Sequence, residues 1–435
     1  MTEKRSERLG ERYLFGIHAS GLPIYVFPKR MTTAYAILAA RYGSVDARFS
    51  VDGREISVPD GVAHFLEHKL FENEDGSDSF ERFSAYGADA NAYTTSNRTA
   101  YLFSCTEHFE ESLRELLRFV TNPHFTSASV KKEQGIIAEE IRMYHDNPWE
   151  RCFQNLMEGL YEKNPVRRNI CGSEASIAQI TPEILYSCYN AFYQPSNMAL
   201  IVCGDVDADR VTSLVDECLG TEVRPEKAVI RLNEDERRDV CAPMMSAYMQ
   251  VAKPIFSIGI KDSEIPSDPG ERQKRDAAMS LLDEILFSRS ARFYSSLFEE
   301  GILSPAYSYG YSIADRFAFH TVSGESEQPE EVLRRLRSYL LEVAEQGIDE
   351  EEFERCRRIL YADQIRSYDS TEEIANNLLA FVFDDAEIFE YPDLIASMTI
   401  GEVEGLLAGL LDESRFCLSV VYPHQKEKEK RNVLQ

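Results

Sequence analysis

Apolar residues recur along this chain at two spacings. Short runs mark strands, and longer stretches with apolar residues three and four apart mark helices. Residues 13–17 and 22–27 flank Ala19-Ser20-Gly21 and predict a hairpin. Residues 34–42 form an apolar strand stopped by Gly43-Ser44, and 53–59 read as loop. A helix is predicted from about 59 to 71, and a short one over 79–86 closed by Gly87. Residues 90–94 and 99–106 read as two strands around Ser96-Asn97-Arg98. Helices follow over 107–121, 130–144, 148–161 and 182–192, then a strand over 198–203 and a helix over 207–219.

Residues 221–241 are charged and poor in apolar side chains, which predicts a linker. Beyond it the grammar repeats. Strands are predicted at 246–251 and 256–261, helices at 270–287 and 292–300, and a strand pair at 306–311 and 317–323. Helices at 327–345, 349–368, 371–383 and 400–411 precede a last strand at 416–422. Both halves run strand, strand, helices, strand pair, helices, strand. That is an internal duplication of an α+β unit, each half a mainly antiparallel sheet with helices packed on one face. The expected domains are 1–225 and 243–424, with a linker over 226–242 and a charged tail over 425–435.

At 435 residues the chain exceeds one ordinary core, which agrees with two domains. A net charge of −27 disfavours nucleic acid and anionic membrane surfaces as partners. Residues 1–12 are charged with no apolar core of a signal peptide, and no run approaches 18 apolar residues. Nine cysteines without a C-x-x-C read as free thiols of a cytoplasmic protein.

Candidate chemistry concentrates on the helix near residue 64. His64 and His68 are four residues apart, so both imidazoles leave one helix face a turn apart. Two neutral imidazoles at that spacing can share one Zn²⁺. Glu67 lies beside them and can act as a general base. The pattern H-x-x-E-H is the inverzincin signature.

With these residues the chain resembles the insulinase-like (pitrilysin-type) zinc metallopeptidases. Stretches such as Pro59-Asp60-Gly61-Val62-Ala63-His64, Lys69-Leu70-Phe71-Glu72 and Met143-Tyr144-His145-Asp146-Asn147-Pro148 look like the family's bacterial YmfH/AlbF-type members. The resemblance implies the insulinase-like, mitochondrial-processing-peptidase-like fold and one Zn²⁺ per chain. It implies a third ligand on a later helix. Glu140, 72 residues after His68, stands at that place, and Glu139 is its neighbour on a more exposed face. Glu133, two turns before Glu140, resembles the acid that orients a ligand histidine. Asn91, Ala92, Tyr93 and Thr94 match an edge strand to which an extended peptide adds by backbone hydrogen bonds.

The chain departs from the family in its second half. Members that act alone carry an Arg and a Tyr there, which stabilise the oxyanion of the reaction. Phe298 stands where the Arg would be and Pro305 near the Tyr, while Tyr307, Tyr309 and Tyr311 are out of register. The expected function is therefore zinc-dependent hydrolysis of short or unfolded peptides in an enclosed chamber. The expected partner is an insulinase-like paralogue without the metal motif, or a second copy. The alternatives are a non-catalytic or regulatory subunit of such a heterodimer, and a peptide-binding protein linked to elongation factor P modification.

Overall fold

The computed structural model describes residues 1–220, 228–232 and 234–424. The expected tail over 425–435, and residues 226, 227 and 233 of the expected linker, lie outside the described residues. In chain order the first elements are β1 (Thr2–Ser6), β2 (Glu11–Ile17), β3 (Pro23–Pro28), β4 (Ala34–Ala40), β5 (Arg48–Val51) and β6 (Arg54–Ser57). Then come α1 (Val62–Leu70), α2 (Ser79–Ala85), β7 (Asp89–Thr94), β8 (Thr99–Cys105), α3 (Phe109–Thr121), α4 (Ser127–His145) and α5 (Pro148–Leu160). Next are α6 (Glu174–Ile177), α7 (Pro182–Phe192), β9 (Met198–Gly204), α8 (Ala208–Leu219), β10 (Val229–Arg231), β11 (Met244–Met249) and β12 (Ile255–Asp262). The rest are α9 (Pro269–Phe287), α10 (Arg292–Glu299), β13 (Tyr307–Ile313), β14 (Ala318–Glu325), α11 (Pro329–Gln346), α12 (Glu350–Arg366), α13 (Thr371–Phe383), α14 (Glu390–Ser397), α15 (Ile400–Leu407) and β15 (Phe416–Pro423).

Two compact units result. The first comprises Met1–Ile141, Arg168–Asn233 and Asp363–Glu390, and the second Arg142–Arg167, Glu234–Ala362 and Tyr391–Gln435. Strands β1 to β10 lie in the first unit and β11 to β15 in the second, while helix α5 belongs to the second unit and α13 to the first.

The first unit holds a seven-stranded sheet of order β1-β2-β3-β9-β4-β8-β7. Its interior strand β4, Ala-Tyr-Ala-Ile-Leu-Ala-Ala, is buried at every position and so covered on both faces. Alternate side chains leave opposite faces. Tyr35, Ile37 and Ala39 pack with Leu102 and Ile201 against Ile374 and Leu378 of α13. On the other face Tyr101 and Phe103 meet Phe119 of α3 and Phe83 of α2, with ring centroids 5.7 and 5.6 Å apart. Thus α13 adds a helical cover to the face opposite the helices of its own sheet's half. A three-stranded sheet, β10-β5-β6, completes the unit.

The second unit holds a five-stranded sheet of order β11-β15-β12-β14-β13. Its central strand β12 is likewise buried throughout. Leu156, Met157 and Leu160 of α5 pack on Phe317, Phe319 and Cys417. A Cβ at Gly259 of β12 would approach the ends of the Leu156 and Leu160 side chains to 2.9 Å, so a larger residue there would make α5 repack its leucines.

The duplication is visible in the strand orders. Five strands of the first sheet, β3-β9-β4-β8-β7, match β11-β15-β12-β14-β13 one for one. In each series the first pair is parallel and the other pairs are antiparallel. The chain is thus an α+β protein of two similar halves.

Several elements differ from expectation. Residues 2–6 pair with β2 although they read only as a charged terminus. Four of the five are exposed, so β1 is a charged edge strand with no apolar alternation to reveal it. Residues 54–57, read as loop, form β6, and 229–231, read as linker, form β10. Both are short, and neither buries a residue. In α14, Pro392 sits in the first turn, where its missing N–H costs no helical hydrogen bond. Among the described residues no helix is long and apolar enough to cross a membrane.

Leu378 is 1% exposed between α13 and the first sheet, whereas Leu341 of α11 is 53% exposed. Leu378→Ala is expected to lower unfolding free energy by about 3 kcal/mol. Leu341→Ala should change it by less than about 0.5 kcal/mol. Denaturant unfolding of the two variants measures the contrast.

Candidate metal centre

The sequence Val-Ala-His-Phe-Leu-Glu-His-Lys-Leu forms α1, which is buried on nearly every face although four of its nine residues are polar or charged. Seven of its nine residues are buried, including His64. Only Glu67 and His68 keep partial access. The helix begins without a side-chain cap, at Gly61 in the left-handed region with φ 93°. A Cβ on Gly61 would meet the Cys171 carbonyl oxygen at 2.5 Å, and one on Gly172 would meet the Asp60 carbonyl oxygen at 2.5 Å. The two backbones therefore cross at a distance that only glycine allows. Arg168 Nη1 donates to Asp60 Oδ1 at 2.6 Å beside the crossing. This clamp sets the start of α1 one turn before His64.

Helix α4 supplies the acids. Thr126 and Ser129 cap its start reciprocally, each hydroxyl accepting the other's backbone N–H at 3.1 and 3.2 Å. Val130, Glu133, Ile137 and Ile141 are buried on one face. Glu140 is partly buried on that side, and its neighbour Glu139 is exposed. Gln134 Nε2 donates to the Ile180 carbonyl at 3.1 Å and ties α4 down.

These helices bring three groups together. His64 Nε2 lies 3.5 Å from Glu140 Oε1, and His68 Nε2 lies 3.5 Å from Glu140 Oε2. All three donor atoms fall within 4.8 Å of one another. The separations are too long for N–H···O hydrogen bonds. They match the edge of a coordination tetrahedron, because donors 2.0–2.1 Å from a central ion stand about 3.3–3.4 Å apart. The donor set, two imidazoles and a carboxylate, suits Zn²⁺ with one position left open. His64 Nδ1 is buried without a hydrogen-bond partner, so the polar contacts of that ring lie on its Nε2 side. There Cys171 Sγ also approaches, at 3.8 Å.

Around the rings, Glu133 Oε1 sits 3.1 Å from His68 Nδ1. Burial alone would push the His68 pKa down. The hydrogen bond to Glu133 and the charges of Glu133, Glu140 and Glu67 outweigh it and hold the ring above its ordinary value. The surroundings thus favour a positive charge between the two helices. Glu67 Oε2 accepts from Thr94 Oγ1 at 2.5 Å.

The expected peptide-binding residues divide. Strand β7 is the sheet's outer strand, hydrogen-bonded to β8. Asn91 and Ala92 line a cleft beside His68, together with Phe71, Phe80, Lys132 and Ile136. Thr94 holds Glu67, whereas Tyr93 turns to the other face and donates to Asn376 Oδ1 of α13 at 2.9 Å. Thr94's hydroxyl contact was not readable in advance, since β-strand alternation alone does not say which carboxylate a threonine meets. In the second unit Phe298 is 45% exposed and stacks on Tyr294. Tyr307, Tyr309 and Tyr311 donate to Phe287 O, Glu284 and Asp262. These hydroxyls serve packing within that unit.

Comparison with known proteins identifies the family. Residues 55–174 match the insulinase (peptidase family M16) domain, and residues 179–360 match the peptidase M16 inactive domain. A Bacillus subtilis protein named as the uncharacterized zinc protease YmfH is 37% identical over 96% of this chain and 98% of its own length.

The chain belongs to the M16 (insulinase) peptidase family.

A crystal structure of an M16-like peptidase from Alicyclobacillus acidocaldarius superposes with TM-score 0.92 and 33% identity, over 97% of this chain and 100% of that one. A Helicobacter pylori protease shares the fold at TM-score 0.83 and 16% identity, over 95% of this chain and 100% of that one. The M16 domain match contains His64, Glu67, His68, Glu133 and Glu140, while Phe298 falls within the inactive-domain match.

The clamp at Gly61 yields a direct test. Gly61→Ala combines left-handed strain with a backbone clash and should cost at least about 2 kcal/mol. Gly53 has φ 77° with nothing within 4 Å of its would-be Cβ. Gly53→Ala should cost about 1 kcal/mol, the strain alone. Thermal unfolding of both variants reads the difference.

Proposed function

We propose that this chain is a zinc-dependent endopeptidase acting on short or unfolded peptides. His64, His68 and Glu140 would hold one Zn²⁺ per chain. The observation that carries this reading is the convergence of both Nε2 atoms on the two oxygens of one carboxylate. When bound, the ion supplies a Lewis acid that polarises the scissile carbonyl and makes water a usable nucleophile near neutral pH.

The chain's own residues do the rest. Glu67, held through Oε2 by Thr94, takes a proton from the attacking water and returns it to the leaving amine. Glu133 fixes the tautomer and orientation of the His68 ring through Nδ1. The free edge of β7 pairs with the backbone of an extended peptide, which accepts any sequence. Asn91 and Ala92 place that edge beside the cleft that His68 lines.

The oxyanion-stabilising Arg and Tyr come, in this proposal, from an M16 paralogue that has lost the metal motif. Supporting it, Phe298 occupies the place of the Arg and the nearby tyrosine hydroxyls are engaged inside the second unit. Facing halves of the two proteins would enclose the chamber. A cytosolic location is part of this reading, and the nine free thiols, seven of them buried, support it.

Glu67→Gln should keep zinc and lower peptide turnover by at least about 100-fold. His64→Ala should lose both. Metal analysis and a fluorogenic peptide assay, with and without a chelator, check these outcomes. Turnover retained in Glu67→Gln would remove the assigned base.

The wild-type chain alone should cleave slowly, and addition of an M16 paralogue that lacks the metal motif should raise turnover by at least about 100-fold, the scale of a lost oxyanion contact. Full activity of the isolated chain, or of its homodimer, would refute the need for a paralogue.

A further inference from the structure

Lys69 follows His68 directly in α1, and its side chain is 0% exposed. Lysine is almost never fully buried unless it is paired. Its ammonium makes an ion pair with Glu72, one turn ahead, and lies 3.9 Å from Glu133 Oε2. The two oxygens of Glu133 are thereby divided: Oε1 faces His68 Nδ1 at 3.1 Å and Oε2 faces the Lys69 ammonium. Glu72 is itself anchored, since its backbone bridges to Asp78 across the loop after α1. Glu133 also lines the cleft beside His68.

We propose that Lys69 is a positioning residue of the metal centre: its buried ammonium, lodged between Glu72 and Glu133, keeps the Glu133 carboxylate turned onto His68. This rests on the reading of His68 as a zinc ligand. The partner of a ligand imidazole governs how well the metal is held, and its loss weakens binding by about 10–100-fold. Lys69 acts one contact further out. It supplies the counter-charge that makes the inward rotamer of Glu133 the favoured one. Removing the ammonium alone leaves the Glu72 and Glu133 carboxylates uncompensated, which itself costs stability, so zinc affinity is separated from folding by measuring it where the metal-free variant is fully folded.

That separation makes the proposal testable. The full-length chain, K69M, K69R, E133Q and K69M/E133Q are titrated with zinc against a chromophoric chelator, and the metal-free proteins are melted in parallel. K69M is expected to bind zinc about 10–100-fold more weakly at a temperature where the metal-free variant is fully folded. K69R should recover part of the affinity. K69M should add little loss on top of E133Q, because both act through one carboxylate.

Wild-type zinc affinity in K69M would overturn the proposal. So would full additivity of K69M and E133Q. Absence of zinc uptake by the unmodified chain would overturn both this inference and the function it rests on. Uptake by the wild type with equal uptake by K69M overturns this inference alone.

Discussion

One carboxylate facing two imidazole nitrogens is the constraint on which the first unit depends. Glu140 presents Oε1 to His64 and Oε2 to His68, each at 3.5 Å, too far for hydrogen bonds and close enough to share an ion. Glu67 and Glu133 add two more carboxylates within reach of His68. Such a concentration of acid around two half-buried rings is costly unless a cation balances it. The buried Lys69 offsets part of that charge, and a divalent ion would offset the rest.

The fold serves that convergence. His64 and His68 stand on a helix buried on almost every side, whose start is fixed by crossed glycine backbones. Glu133 and Glu140 stand on a second helix capped at its start by Thr126 and Ser129. Both are rigid elements, which is what a site with tolerances of a few tenths of an ångström needs. The duplicated strand order shows that the scaffold itself carries no chemistry. Strand β13 occupies the position of β7 in the second sheet, yet it carries packing tyrosines where β7 carries Thr94 against Glu67.

Much of this was legible in the chain. The spacing of His64 and His68 predicts a shared face from helical geometry alone, and the repeated grammar of strands and helices predicts the two similar halves. Glu140 and Glu133 were legible only through family resemblance, because nothing local marks one acid among many on a charged helix. The contacts of Thr94 with Glu67, and of Gly61 with Cys171, join residues far apart in sequence and leave no local signal. Strands β1, β6 and β10 escaped because charged or isolated short strands show no apolar alternation. The exchange of α5 and α13 escaped for another reason: an amphipathic helix reports that it has a buried face, and not which sheet covers it.

In the proposed centre two imidazoles and one carboxylate, with no thiolate, would grip a single zinc ion. X-ray absorption at the zinc edge of the purified, zinc-loaded chain tests it most directly. The account predicts a first shell of nitrogen and oxygen donors at about 2.0–2.1 Å, two of them imidazole. A sulfur donor at about 2.3 Å, which would draw Cys171 into the shell, or a shell with fewer than two imidazoles, would contradict it.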